Sequence, residues 1–156
     1  MLASRACRGT RWAGGCLGDR RWRELLNVHD ELARRLVDEF GSRLVKTTGD
    51  GILATFDGPG RAIRCAGALS DELAGIGVQL RAGLHTGEVE LRDGDVGGIA
   101  VHIAARVMAA ASPGEILASR TVRDLVVGSG IALHERGAQP LKGVEGIWQP
   151  FAVVGP

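Results

Sequence analysis

Arg43-Leu44-Val45-Lys46-Thr47-Thr48-Gly49-Asp50-Gly51-Ile52-Leu53-Ala54-Thr55-Phe56 sets two short apolar runs on either side of a Thr-Gly-Asp-Gly break. An Asp-Gly pair between such runs is the strongest short-range signal for a β-hairpin. The stretch therefore predicts two paired strands with Asp50 at the tip. Upstream, Trp22, Leu25, Leu26, Leu32, Leu36 and Phe40 recur with helical spacing from Asp19 onward, and Gly41 supplies a C-terminal stop. Downstream, Asp57-Gly58-Pro59 opens a second helix that runs to about Ile76, where Gly75 and Gly77 end it.

Val78, Leu80, Ala82 and Leu84 then alternate with Gln79, Arg81 and Gly83, the period of a half-buried strand. A turn through Gly87 leads to a short strand ending near Leu91. Asp93-Gly94-Asp95 and Gly97-Gly98 read as a flexible loop before a third helix, about Ile99 to Ala111, closed by Ser112-Pro113-Gly114. The tail predicts a strand over 115–118, a brief helix over 121–127, and strands around 131–135 and 148–154. Helix, hairpin, helix, strand and helix in this order lack only a leading strand to make a βαββαβ core. Residues 1–18, broken by Gly9, Gly14, Gly15 and Gly18, show no sustained alternation that would supply it. The expectation is an α+β, ferredoxin-like fold with its first strand missing or replaced and a small C-terminal αβ extension. Residues 1–16 are expected to be an unstructured basic arm ahead of one domain over 17–156.

The bulk numbers agree with a single compact domain: 156 residues, 45% of them hydrophobic. No apolar run approaches the ~20 residues that cross a bilayer, and no signal peptide opens the chain, so a cytoplasmic location is expected. Cys7, Cys16 and Cys65 lack metal-ligand spacing and are read as reduced thiols. A net charge of +1, with no aromatic-stacking pattern beside the early arginines, argues against a nucleic-acid partner. Lysine occurs only at Lys46 and Lys142, so a lysine inside a motif is informative here.

Polar residues that could carry chemistry stand at predicted ends and tips: Lys46 with Asp50, Asp95, and His102 with Arg106. The last two are four residues apart and share a helical face, while Ile99, Ile103 and Val107 form the neighbouring apolar stripe. Singly, each has an ordinary structural reading. A hairpin-tip Asp is usually turn chemistry, a helical Arg is usually solvated, and His29, His85 and His134 are taken as structural.

The joint arrangement changes that balance. Val45-Lys46-Thr47-Thr48-Gly49-Asp50-Gly51 resembles a K-T-x-G-D hairpin, and Arg81-Ala82-Gly83-Leu84-His85-Thr86-Gly87 resembles an R-x-G-x-H-x-G strand. Asp95-Val96-Gly97-Gly98 with Val101-His102-Ile103-Ala104-Ala105-Arg106 resembles a D-x-x-G-x-x-V-N-x-A-x-R segment, and Leu141-Lys142-Gly143-Val144 a tail motif. Ordered in this way, from about Leu17 to Val154, they resemble the class III adenylate/guanylate cyclase catalytic domain, bacterial type. The resemblance implies a nucleotide cyclase of intracellular signal transduction whose active sites form between two subunits, in a homodimer or a heterodimer with another cyclase domain. It implies Asp50 as a metal ligand, Lys46 and Asp95 as the pair that selects the purine, and His102 and Arg106 as catalytic contacts to ribose and phosphate. Lys with Asp is the pairing associated with adenine, so ATP is expected rather than GTP. The implied reaction is attack of the ribose 3′-hydroxyl on the α-phosphorus, giving 3′,5′-cyclic AMP and pyrophosphate, with two Mg2+ or Mn2+ ions.

Two departures from the family pattern stand out. His102 replaces an asparagine, keeping a ring nitrogen that donates but adding a pH-dependent charge. The family's first strand also carries an F-x-D-I segment whose Asp is the second metal ligand, and nothing like it precedes Leu17; Asp19 and Asp30 fall on the first helix. The abrupt change near Leu17 is read as a shifted reading frame or truncated gene ahead of it. The expected consequence is impaired activity, with a non-catalytic subunit that supplies the nucleotide-binding half-site to a complete partner as the alternative.

Overall fold

The computed structural model of the chain describes residues 18–154, and residues 2–8 by their backbone. The strand β1 (Leu2–Arg8) leads into α1 (Asp19–Glu39), β2 (Arg43–Thr47), β3 (Gly51–Thr55), α2 (Pro59–Gly75) and β4 (Val78–Leu84). A small hairpin of β5 (Glu90–Arg92) and β6 (Asp95–Gly97) precedes α3 (Ile99–Ala110) and β7 (Ile116–Ala118). The remainder is α4 (Arg120–Leu125), β8 (Leu133–Glu135), β9 (Gln139–Pro140), β10 (Ile147–Trp148) and β11 (Phe151–Val153).

Seven strands form one sheet in the order β2-β3-β1-β4-β7-β11-β8, antiparallel except for the parallel pair β4 and β7. The first four strands with α1 and α2 are the expected ferredoxin-like core, and the later elements are its αβ extension. The vacant place of the first strand is taken by Leu2–Arg8, which pairs along β3 on one side and β4 on the other. Residues 2–8 are thus strand rather than unstructured arm; residues 9–16 of that expected arm lie outside the described residues. Leu-Ala-Ser-Arg-Ala-Cys-Arg has little β propensity of its own. Its conformation follows from the two backbone edges, of β3 and β4, that would otherwise lose their partners.

The sheet is covered on both faces. Ala33, Leu36 and Val37 of α1 share a helical stripe and pack with Ile63, Ala66, Leu69 and Leu73 of α2 on Ile52, Ala54, Val78, Leu80 and Ala82. Leu69 and Leu73 are fully buried, and removing each from water contributes about 2 kcal/mol. The opposite face receives α3, whose Ala104 meets Leu53, while Ile103 and Val107 pack with Leu117 and with Leu141 of the tail motif. Cys65 is buried against the first of these clusters, and burial, reinforced by Glu39, pushes its thiol up to about 11. It is an inert packing residue at neutral pH.

Three boundaries differ from the sequence reading. The Gly49-Asp50 turn has its positive φ at Gly49, +72°, and none at Asp50, so the glycine in front of Asp50 makes the turn rather than the one behind. Asp50 is still at the tip. The stretch read as a flexible loop is the β5–β6 hairpin, whose Asp93 and Gly94 have φ of +47° and +85°, the dihedral signature that favours Asp-Gly. The expected last strand is divided at Gln149-Pro150 into β10, which pairs with β9, and β11, which joins the main sheet. Proline has no N–H to continue a ladder.

Candidate functional site

The hairpin contains a bulge that decides where Lys46 goes. Leu44 lies opposite Ala54, but Lys46 lies opposite Leu53 and Thr47 opposite Ile52, so Val45 is an extra residue between them. Ala54 and Ile52 belong to the α1/α2 side of the sheet and Leu53 to the α3 side. Without the extra residue Lys46 would share Leu44's face; with it, Lys46 crosses to the α3 side. There its Nζ donates to both carboxylate oxygens of Asp95, at 2.9 and 3.0 Å. Asp95 Oδ1 also accepts the N–H of Val96 at 2.8 Å, and the adjoining turn is tied to β2 by Arg43 Nη2 donating to the carbonyl of Gly94 at 3.3 Å. The Lys46 ammonium, then the Val96 N–H, hold the Asp95 carboxyl below its ordinary value. Both side chains of the pair are open to solvent.

His102 and Arg106 stand on α3 one turn apart, both exposed, and no hydrogen bond or ion pair to another described residue holds either. The pair Lys46–Asp95 is therefore joined directly, His102 and Arg106 share a helix face on the same side of the sheet, and Asp50 occupies the hairpin tip.

The other histidines differ in their surroundings. His29 is fully buried in α1 with Nδ1 at 3.0 Å from Asp30 Oδ1, and His134 is exposed on β8. His85 is buried as well and is held from two sides. Its Nδ1 is 2.8 Å from Ser119 Oγ, and its ring meets Trp148 edge-on at 6.0 Å. Burial lowers its pKa from 6.5. An unfolded chain then takes up a proton at His85 more readily than the native one, so stability is full above about pH 6.5 and is lost as pH falls through that value toward the depressed native one. Unfolding in urea at pH 7.5 and 5.5 should show this decline, and His85→Asn should flatten it; equal pH dependence of the two proteins would exclude His85 as its source.

One residue that the sequence shows only as a motif position, with no role of its own, gains interest from the structure. Arg81 is half-buried on β4, and its Nε is buried without a hydrogen-bond partner. An apolar-polar alternation that marks Arg81 as the polar member says nothing of whether an acceptor faces it.

Cyclases use divalent metals, and the residues here do not fit a two-ion site. Asp50 is the carboxylate that the hairpin offers, Leu2–Arg8 contains neither Asp nor Glu, and among the described residues no three His, Cys, Asp or Glu side chains gather to hold an ion.

No protein-family model matches the chain. An uncharacterised protein of Mycobacterium tuberculosis is 39% identical over 105 residues, 66% of this chain and 28% of that protein. A putative adenylate cyclase of Rhizobium meliloti is 31% identical over 134 residues, 80% of this chain and 22% of that protein. The chain thus spans about a quarter of the length of these curated relatives. Among solved structures, an adenylate/guanylate cyclase/hydrolase from Silicibacter pomeroyi superposes with a TM-score of 0.83 at 27% identity, covering 99% of this chain and 96% of that one. The adenylyl cyclase CyaB from P. aeruginosa shares the fold, with a TM-score of 0.82 at 20% identity over 99% and 92%.

The βαββαβ sheet crossed by α3, shared with these relatives and solved cyclases, is that of a nucleotide cyclase domain. The chain belongs to the class III adenylate/guanylate cyclase family. Domains of this kind bind nucleotide and commonly pair.

Proposed function

We propose that the chain is an adenylate cyclase domain that keeps the nucleotide-facing half of the active site and lacks part of the metal-facing half. The observation that carries this is the Lys46–Asp95 pair, set on the α3 side of the sheet by the bulge. An ammonium donates to a ring nitrogen and a carboxylate accepts from an exocyclic amine, the polarity that adenine presents, so ATP is the substrate and GTP the weaker one. Arg106 meets phosphate oxygens, and His102 donates to ribose or phosphate from one ring nitrogen. Neither His102 nor Arg106 is held by another described residue, which leaves both available to a nucleotide shared with a second cyclase domain.

Homodimers of this chain form little cyclic AMP, because each site draws its metal half from a chain whose β1 has no carboxylate. That absence favours a second reading beside the first: a subunit that dimerises with a complete partner and lends it Lys46, Asp95, His102 and Arg106. The test is to mix the chain with a complete cyclase domain whose own equivalents of these four residues have been removed, and to measure cyclic AMP. The mixture is expected to be active where neither component is, and Lys46→Met on this chain should lower that activity about 10- to 100-fold by leaving a base nitrogen unpaired. No rescue in the mixture would sink the complementation reading, and robust cyclic AMP formation by the purified chain alone would sink the impairment.

A further inference from the structure

Where the start of α4 meets the β9–β10 ribbon there is a cavity of about 420 Å3, lined by Arg120, Ala138, Glu145, Ile147, Trp148 and Gln149. Small-molecule sites occupy roughly 300–1,000 Å3. Its walls are held from behind. Arg120 follows Ser119, whose Oγ is 2.8 Å from His85 Nδ1, and Trp148 meets the same imidazole edge-on at 6.0 Å. Trp148 Nε1 also donates to the carbonyl of Glu145 at 3.0 Å, which ties the turn before β10 to the indole. Both sides of the cavity thus lean on one buried imidazole, an arrangement that lowers the ordering cost of binding.

The lining carries both signs of charge without joining them. Arg120 has a loose contact with Asp124, 3.8 Å, in which both side chains are open to water, and such a pair contributes little. The Glu145 carboxylate has no ion pair or hydrogen bond to another described residue. Ile147 is 71% exposed beside them. An exposed isoleucine alone is ordinary. One that shares a cavity with an indole, a guanidinium and a free carboxylate is part of a composite surface, apolar in the wall and charged with both signs.

We propose that this cavity binds a small zwitterion with an aromatic body, of the amino-acid class, its carboxylate on Arg120, its ammonium on Glu145 and its ring against Ile147 and Trp148. A carboxylate matches the guanidinium fork with two oxygens, and an aromatic ring gains from an indole beyond the area that it covers. Glu145 turns away a polyanion such as a nucleotide, and Arg120 turns away a simple amine. The site shares no residue with Lys46, Asp95, His102 and Arg106 and does not depend on the nucleotide reading. Trp148 packs against the cluster of Ile103 and Val107, so one wall of the cavity abuts the helix that carries His102 and Arg106.

The experiment is calorimetric titration of the full chain with L-phenylalanine, 3-phenylpropionate and phenethylamine, the last two lacking one charge each. L-Phenylalanine is expected to bind with a dissociation constant of about 1 mM or less, and each comparator at least about fivefold more weakly. Arg120→Gln should weaken L-phenylalanine about tenfold and leave phenethylamine unchanged, whereas Glu145→Gln should weaken L-phenylalanine and leave 3-phenylpropionate unchanged. Both residues are exposed, so neither substitution endangers the fold. Tryptophan fluorescence locates the binding, since its change on adding L-phenylalanine should vanish in Trp148→Phe. Weaker binding of L-phenylalanine or none, comparators that bind as tightly as it does, or binding untouched by both substitutions overturns the proposal.

Discussion

Gly83→Val is expected to abolish the folded state. A Cβ at position 83 falls 2.2 Å from the backbone nitrogen of Met108, 2.5 Å from the carbonyl oxygen of Ala104 and 2.7 Å from the Cα of Met108. All three atoms belong to the main chain of α3, so no side chain can swing aside to make room. Relief requires the helix to lift from β4. Lifting it opens the contact of Ala104 with Leu53 and loosens Ile103 and Val107 from Leu117 and Leu141. The cost is on the order of 4 kcal/mol or more, a large share of the stability of a small domain. Thermal unfolding by circular dichroism measures it, with Gly67→Ala as the control, since a Cβ there meets nothing within 4 Å. A Gly83→Val protein that melts within a few degrees of the unaltered chain would show that α3 does not cross where the structure puts it.

The second large effect is a gain. Replacing Leu2–Arg8 by a strand that carries F-x-D-I is expected to raise cyclic AMP formation at least 100-fold over the unaltered chain, because the metal-facing half then offers two carboxylates instead of one. The sheet already holds a strand at that place, between β3 and β4 and beside Gly51, so the new carboxylate has a framework to stand on. Turnover of ATP in Mg2+ or Mn2+ is the measurement. An exchanged strand that pairs correctly and still gives no product would direct attention to His102, where the family has asparagine.

The sequence spoke clearly wherever a period ran for several turns. α1, α2, α3 and β4 each bury one stripe of a repeating pattern, and their limits lie within one or two residues of those read from spacing. β1 was silent because alanine, serine and cysteine carry no strand preference, and its place is set by neighbours far along the chain. β9, β10 and β11 are two or three residues long, too short for any period to show. Sequence spacing predicts a hairpin turn at Asp50-Gly51 and a loop at Asp93-Gly94, yet Asp93-Gly94 makes the turn that such pairs favour and Asp50-Gly51 does not, since Gly49 takes the positive φ first. At the site, the residue types were visible as motifs, whereas the Lys46–Asp95 contact was not. It depends on Val45 being one residue more than the partner strand can match. An orphaned nitrogen such as Arg81 Nε is likewise a property of packing in three dimensions.

The extra residue at Val45 has a consequence for how the molecule meets its own kind. β2 lies at the rim of the seven-stranded sheet, where a straight, evenly spaced ladder would invite a foreign strand to zip alongside. The break between Leu44 and Lys46 interrupts that ladder and twists the rim out of line. A second chain therefore gains little by extending the sheet sideways, and two copies can come close without polymerising through this rim.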